Sequence, residues 1–344
     1  MVFFENVTCT KCGHALGFAP DRGVMCALDP EPPLWRAVSH EDGPRYRLCR
    51  NQIEHGVCNW LVPDSDSEDY CQACRLNHII PNLASPDAKP AWHRLEVAKR
   101  RLLYTLFALG LPVESKLANP ERGFQFEFLQ DSTSPDGPHV YTGHSEGVIT
   151  INIAEADDPF REKMRLQLGE TYRTVLGHFR HEIGHYYWDR LIKDSPRLPE
   201  FRELFGDERE DYAAALKRHY ANGLPADWPE RFVSGYASMH PWEDWAESWA
   251  HYLHIVDTLE TARAFSLSLR PVKTEAPPAS DLTLAARRLD LSSFEELITG
   301  WTPLTIALNA LNRSMGMNDV YPFVLHDRAV EKLRFVHDTI AEQQ

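Results

Sequence analysis

The chain has 344 residues, of which 43% are hydrophobic and 11% aromatic. This is enough for two domains with buried cores, and it excludes a collagen-like or disordered acidic protein. Its 36 Lys and Arg against 50 Asp and Glu give a net charge of −14, which argues against sequence-independent nucleic-acid binding. The sequence has neither an apolar run of membrane-spanning length nor a secretory signal pattern at the N-terminus, so we expect a cytoplasmic protein.

All seven cysteines fall in the first 80 residues. In a reducing compartment, such clustering favours metal ligation over disulfides. Cys71 and Cys74 form a knuckle whose two thiolates can reach one ion. With the preceding Cys49 and Cys58 they predict a closed, tetrahedral structural zinc site. We therefore predict a cysteine-rich domain over residues 1–80, which maintains a fold or contacts a protein partner.

Cys9 and Cys12 form a second knuckle, and they are candidates for a further structural zinc. Their remaining ligands stay open at this point. They can pair with the Cys71–Cys74 knuckle in a simple ribbon, recruit Cys26 and His14, or lack a complete site.

A linker is predicted over residues 81–90, where three prolines occur in ten positions. Apolar residues then recur at three- and four-residue spacing over residues 92–111, which predicts a helix that opens a second domain over residues 91–344. The basic run at residues 99–101 is expected to lie on the solvated face of that helix.

Two strands are predicted from alternating residues. Residues 123–129 place phenylalanines on one face, and residues 147–154 place isoleucines on one face. The turn-rich residues 131–138 between them predict a loop. After residue 154 the sequence is almost wholly helical in pattern, including residues 282–340. Strands followed by helices predict an α+β fold, mostly helical with a small sheet.

The sequence of residues 177–189 contains the pattern HExxH. On a helix, His181 and His185 project from one face, one turn apart, so both imidazoles can reach one zinc ion. Glu182 is placed to accept a proton from a water whose pKa the metal lowers toward ~7. The five letters also arise by chance on solvated helices. Here the neighbours are apolar and aromatic, and burying these groups without a metal would be unfavourable.

A catalytic zinc usually has three protein ligands and an open position. Glu243 is the preferred third ligand, because a proline near the helix start and a wide apolar side would fix its carboxylate. The competing segment, residues 207–211, is dense in charge and more typical of a solvated face or cap. Glu247, one turn after Glu243, is expected to accept a hydrogen bond from the far nitrogen of a ligand histidine. Asp189 either supports His185 in the same way or faces solvent.

The HExxH pattern followed by a glutamate on a second helix resembles the gluzincins, and more closely the catalytic domain of anthrax lethal factor. Residues 243–247 resemble that family's Glu-aromatic-aromatic-Ala-Glu helix, with Tyr236 seven residues before Glu243. The resemblance implies that Tyr236 is catalytic and donates a hydrogen bond to the oxyanion. Asp244 departs from the pattern, since the family has an aromatic residue there, and this leaves the packing of the helix open.

Nearly the whole chain resembles a bacterial family of zinc-binding metallopeptidases that carry an N-terminal zinc-ribbon domain. The resemblance lies in residues 58–62, 98–104, 177–188 and 236–254. It implies a zinc ribbon followed by a zincin-like α+β domain, with one catalytic zinc and at least one structural zinc. The implied activity is hydrolysis of peptides or proteins by a glutamate-activated, zinc-bound water. The alternative is a zinc-organised protein-interaction module whose HExxH site is not catalytic. A third possibility is a peptidase that acts on DNA-bound proteins, which the net charge of −14 disfavours. No membrane partner is predicted.

Overall fold

The computed structural model describes residues 2–38, 43–132, 139–168, 174–269, 282–283 and 293–344. The chain divides into two compact units. The first comprises Met1–Met164 with Thr174–Phe179, and the second comprises Arg165–Arg173 with Arg180–Gln344.

The first unit contains a five-stranded antiparallel sheet in which the strands follow one another in chain order. The strands are β1 (Ala15–Ala19), β2 (Val24–Glu31), β3 (Leu34–Ala37), β4 (Arg45–Leu48) and β5 (Leu61–Pro63), with helix α1 (Arg50–His55) between the last two. One face of the sheet buries a core that includes Cys26, Leu28 and Tyr46. Cys49 follows β4 directly and Cys58 precedes β5, so neighbouring strands bring these two cysteines together.

A second sheet of the first unit contains the two predicted strands. Its order is β6 (Asn77–Ile79), β7 (Gln125–Leu129), β9 (Val148–Asn152) and β8 (Gly143–Ser145). β7 and β9 are parallel and place Phe126 opposite Ile149, both fully buried. The alternation therefore reflects one apolar face, as expected. Residues 133–138 of the predicted loop lie outside the described residues.

Helix α2 (Ala88–Ala108) begins four residues earlier and ends three residues earlier than predicted. The expectation that its basic run is solvated is wrong for two of the three residues. Lys99 is fully buried, with its ammonium 2.9 Å from the Glu96 carboxylate, and Arg100 is 3% exposed. Arg100 donates a 2.6 Å hydrogen bond to the Val57 carbonyl. The helix is covered on more than one side, and each buried cation has an oxygen partner, as burial of charge requires.

The remaining elements are helical, apart from a short pair of strands. The helices are α3 (Asp158–Leu168), α4 (Val175–Leu191), α5 (Leu198–Phe205), α6 (Tyr212–Asn222), α7 (Trp228–Arg231), α8 (Pro241–Ala264), α9 (Phe294–Ser314) and α10 (Asp327–Ala341); the antiparallel strands are β10 (Ser268–Leu269) and β11 (Leu282–Thr283). The boundary between the two units falls within α3 and between Phe179 and Arg180 of α4. The predicted α+β class, with mostly helix and a small sheet, is confirmed. None of the described helices combines the length and apolar character needed to cross a bilayer.

Helices α4 and α8 of the second unit pack closely at Gly184. A Cβ atom at this position would lie 3.1 Å from the Cα of Ala246 and 3.2 Å from the Cβ of Trp249. The carbonyl of Gly184 also accepts a 2.8 Å hydrogen bond from the indole of Trp245. The missing side chain therefore allows the two helices that carry the candidate ligands to approach each other.

Candidate metal centres

Two histidines and one glutamate of the second unit converge on a common point. His181 and His185 lie one turn apart on α4, with their Nε2 atoms 3.2 Å apart. Glu243 lies in the first turn of α8, and its Oε2 is 2.9 Å from His181 Nε2 and 3.6 Å from His185 Nε2. Two separate helices thus supply three ligand atoms of the types that zinc accepts.

The spacing of these three atoms fits a zinc ion. Tetrahedral coordination with bonds of about 2.0–2.1 Å places ligand atoms about 3.3 Å apart. The observed separations of 2.9, 3.2 and 3.6 Å bracket this value. In the described part of the chain, no fourth His, Cys, Asp or Glu joins the group. The residues therefore fit a zinc ion with one position left open.

The electrostatics of the group favour a positive charge at its centre. Burial opposes ionisation of Glu243, but His185 and His181 outweigh burial and hold its pKa well below the usual range. Burial likewise lowers the pKa of His181, but Glu243 and Glu247 outweigh it and raise that pKa well above its usual value. Two imidazole nitrogens and a carboxylate oxygen at such short separations are stable only around a proton or a metal cation.

Hydrogen bonds behind His181 fix the orientation of its ring. Its Nδ1 donates to Glu247 Oε1 over 2.8 Å, which directs the Nε2 lone pair toward the centre of the group. The hydroxyl of Ser234 donates to Glu247 Oε2 over 2.5 Å. Glu247 thus contacts the far nitrogen of His181, and its role in supporting a metal ligand stays a prediction. Ser234 was missed, because a lone serine 13 residues before Glu247 gives no sequence signal.

His185 has a different environment. The ring of Trp242 lies 3.7 Å from the ring of His185, and the backbone N–H of Trp242 donates to the side chain of His240, which caps α8. Asp189 is half-buried one turn after His185, and its carboxylate lies 3.6 Å from the ammonium of Lys193. Burial raises the pKa of Asp189, which Lys193 and then His185 partly offset. Its predicted support of His185 stays a prediction.

Two tyrosines, Tyr236 and Tyr212, and Glu182 of the HExxH pattern belong to the surroundings of the group. The ring of Tyr236 lies 6.0 Å from the ring of His181. The hydroxyl of Tyr212 donates a 2.8 Å hydrogen bond to Glu243 Oε1. Glu182 is 9% exposed. Burial and the charge of Glu243 raise the pKa of both phenols, and the charge of Glu182 adds to this.

The acidic segment that competed with Glu243 contributes no carboxylate to the group. Asp207 pairs with Arg209 at 2.7 Å, and the side chain of Asp211 accepts a 2.9 Å hydrogen bond from the Ala214 N–H to cap α6. The residue that reaches the group from this region is Tyr212, the next along the chain. Sequence reasoning missed it because the charges of residues 207–211 dominated the pattern.

A cavity of 470 Å³ occurs in the same unit. Its lining includes residues 237–240, which directly follow Tyr236, and His219, whose ring lies 6.1 Å from that of Tyr236. Phe205, Phe232 and other apolar side chains complete much of the wall. Glu210, Arg218 and Arg231 add charged groups to the lining, so the cavity is of mixed polarity and of a size that can receive part of a ligand.

The second candidate centre comprises four buried cysteines of the first unit: Cys49, Cys58, Cys71 and Cys74. Their sulfur atoms all lie within 4.8 Å of one another, with Cys58 and Cys71 at 3.6 Å. The backbone N–H groups of Cys71 and Trp60 point at the sulfurs of Cys49 and Cys58, each over 3.4 Å. Zinc–sulfur bonds of about 2.3 Å place tetrahedral thiolates about 3.8 Å apart. The four residues therefore fit a closed zinc site.

Cys9 and Cys12 lie outside both groups. Cys12 Sγ is 3.1 Å from His14 Nδ1, and Cys26 packs in the core of the five-stranded sheet. Among the described residues, no third ligand atom completes a group with the two cysteines. A further zinc at this knuckle stays a prediction.

Comparisons with known proteins also indicate zinc binding. A family model described as "Putative zinc-binding metallo-peptidase" matches residues 88–339, and a model of a zinc-ribbon domain matches residues 1–85. Curated relatives from Mycobacterium bovis and from two strains of Mycobacterium tuberculosis, all named only as uncharacterised proteins, are 43% identical over 340 residues. That alignment covers 98% of this chain and 92% of each relative. No solved structure matches the chain.

Proposed function

Because this chain belongs to the zinc-binding metallo-peptidase family and carries a zinc-ribbon domain, we propose that it hydrolyses peptide bonds at a zinc ion held by His181, His185 and Glu243. The observation that carries the proposal is the convergence of three ligand atoms, 2.9–3.6 Å apart, with no fourth protein ligand among the described residues. A closed site would favour a structural ion instead.

The proposed chemistry divides between the ion and the side chains around it. A bound zinc ion polarises a carbonyl oxygen and lowers the pKa of water at its open position. Glu182 accepts the proton of the attacking water and passes it to the leaving amine. Tyr236 donates a hydrogen bond to the carbonyl oxygen as negative charge develops there. Glu247 holds the ring of His181 with Nε2 toward the ion.

The gluzincin type of this site is part of the proposal. It is supported by the position of Glu243 on a helix other than the one that carries the histidines, and by the hydrogen bond between Glu247 and His181. The resemblance to the lethal factor catalytic domain implies the first feature, and the second is the usual support of a ligand histidine by a carboxylate. The cavity that begins beside Tyr236 is proposed to receive a substrate side chain.

We further propose one structural zinc at Cys49, Cys58, Cys71 and Cys74. This ion contributes to folding of the first unit and takes no part in hydrolysis, because four thiolates leave no open position.

Removal of the catalytic zinc tests the proposed activity. We expect the purified full-length chain to cleave fluorescently labelled unfolded casein, to lose this cleavage with 1,10-phenanthroline, and to regain it when zinc is restored. Circular dichroism of the chelated protein checks that the second unit stays folded. Cleavage that persists in a sample shown to be free of metal would contradict the proposal.

A further inference from the structure

The two carboxylate oxygens of Glu243 have different partners. Oε2 faces both histidines, at 2.9 Å from His181 and 3.6 Å from His185. Oε1 accepts a 2.8 Å hydrogen bond from the hydroxyl of Tyr212. Glu243 is 2% exposed. Each oxygen of this buried carboxylate thus has its own partners: the two histidines for Oε2 and the Tyr212 hydroxyl for Oε1.

Tyr212 is held in place by the structure around it. It is the first residue of α6, and the Asp211 side chain caps that helix directly before it. Its ring lies 5.3 Å from His240 and 6.3 Å from Trp242, the residues that surround the start of α8. Because Glu243 belongs to the first turn of α8, the phenol and the carboxylate are fixed against the same helix start.

We infer that Tyr212 is a positioning residue that keeps Glu243 a one-oxygen ligand of the zinc ion. This inference rests on the proposed function. A carboxylate can bind a metal through one oxygen or both, and a second oxygen would raise the coordination number from four to five and crowd the position that a catalytic zinc keeps for water. A hydrogen bond from a neighbouring phenol engages Oε1 and leaves only Oε2 for the ion.

The direction of the hydrogen bond separates the roles of the two tyrosines. A carboxylate only accepts hydrogen bonds, and a phenol has one proton to donate. The proton of Tyr212 is therefore used on Glu243. The hydroxyl of Tyr236 is hydrogen-bonded to that of Tyr212, and its ring adjoins His181. Tyr236 is therefore the phenol that would have to exchange this partner to donate toward a substrate oxygen.

The variant Tyr212→Phe tests the inference, because it removes one hydroxyl and keeps the ring. Tyr220→Phe is the matched control, since Tyr220 lies on the same helix and is 57% exposed. The full-length proteins are loaded with Co²⁺, whose visible absorption weakens when the coordination number rises from four to five. We expect weakened bands for Tyr212→Phe and unchanged bands for Tyr220→Phe. We also expect kcat to fall about 10- to 100-fold in Tyr212→Phe, with KM within about twofold.

A Co²⁺ spectrum of Tyr212→Phe that superimposes on that of the unaltered protein would overturn the inference, because coordination would then not depend on the hydroxyl. This outcome is distinct from failure of the proposed function. In that case the unaltered protein itself would bind no metal at the His181 group or cleave no substrate.

Discussion

Replacing Glu182 with Gln is expected to lower kcat for peptide hydrolysis about 10³-fold, within the range for loss of a general base. Glutamine keeps the size of the side chain and most of its hydrogen bonding, but its amide cannot accept a proton from water near neutral pH. Glu182 is not one of the three converging ligands, so zinc content is expected to stay unchanged. Steady-state kinetics and metal analysis of the same preparation measure both effects.

The control for this variant is Glu200→Gln, a change of the same chemistry at a side chain that is 59% exposed on α5. We expect its kcat to match that of the unaltered protein. If Glu182→Gln cleaved substrate at the unaltered rate while holding its zinc, Glu182 would have no part in proton transfer. The interaction-module reading, with a non-catalytic HExxH site, would then be favoured.

Replacing Lys332 with Met is expected to reduce the free energy of unfolding by about 3–5 kcal/mol, the usual effect of breaking a buried ion pair. Lys332 on α10 donates to Asp244 Oδ2 over 2.6 Å and to the Arg231 carbonyl over 2.9 Å. Both side chains of the pair are almost fully buried, at 3% and 0% exposure. The variant therefore leaves a buried carboxylate, next in the chain to Glu243, without its cation. Urea denaturation followed by tryptophan fluorescence measures the loss.

The loss of unfolding free energy in Lys332→Met is expected to depend on pH. Burial, only partly offset by Lys332, raises the pKa of Asp244 to about 7. Without the lysine the pKa is expected to rise further. A carboxyl whose pKa is higher in the folded state destabilises that state as pH rises above the unfolded pKa. Lys332→Met is therefore expected to lose more unfolding free energy, relative to the unaltered protein, at pH 8 than at pH 5.

Two companion variants complete this test. Arg334→Met changes a cation on the same helix that is 45% exposed, and its effect is expected to stay within about 0.5 kcal/mol. The double variant Asp244→Leu with Lys332→Met removes both charges and is expected to recover most of the loss. Equal stabilities for Lys332→Met and Arg334→Met would show that the ion pair between Lys332 and Asp244 does not stabilise the fold.

The features that could be predicted from the sequence are those whose residues recur at a short, fixed spacing along the chain. The four-residue spacing of His181 and His185 on a helix follows from helix geometry alone. The alternating strands of the small sheet follow from the two-residue period of a pleated strand. The position of Glu243 required more, namely a second helix with a proline at its start and an apolar side, and it rested on the resemblance to known peptidases for its catalytic context.

The features that sequence reasoning missed depend on pairs of residues far apart in the chain. Lys99 reads as a surface cation until α2 packs against the sheet, where its ammonium donates to Asn77, 22 residues earlier, and lies over the ring of Phe126. Asp244 reads as a departure from the family pattern, and its explanation is Lys332, 88 residues later. Tyr212 lies 31 residues before Glu243, so its hydrogen bond to the carboxylate has no periodic signature.

The most direct test of the proposed site is anomalous diffraction at the zinc absorption edge from crystals of the full-length protein. We predict an ion at about 2.0–2.2 Å from His181 Nε2, His185 Nε2 and Glu243 Oε2, with no fourth protein ligand. The absence of an ion between these three side chains in zinc-loaded protein, or a fourth protein group bound to it, would contradict a catalytic metal site at this position.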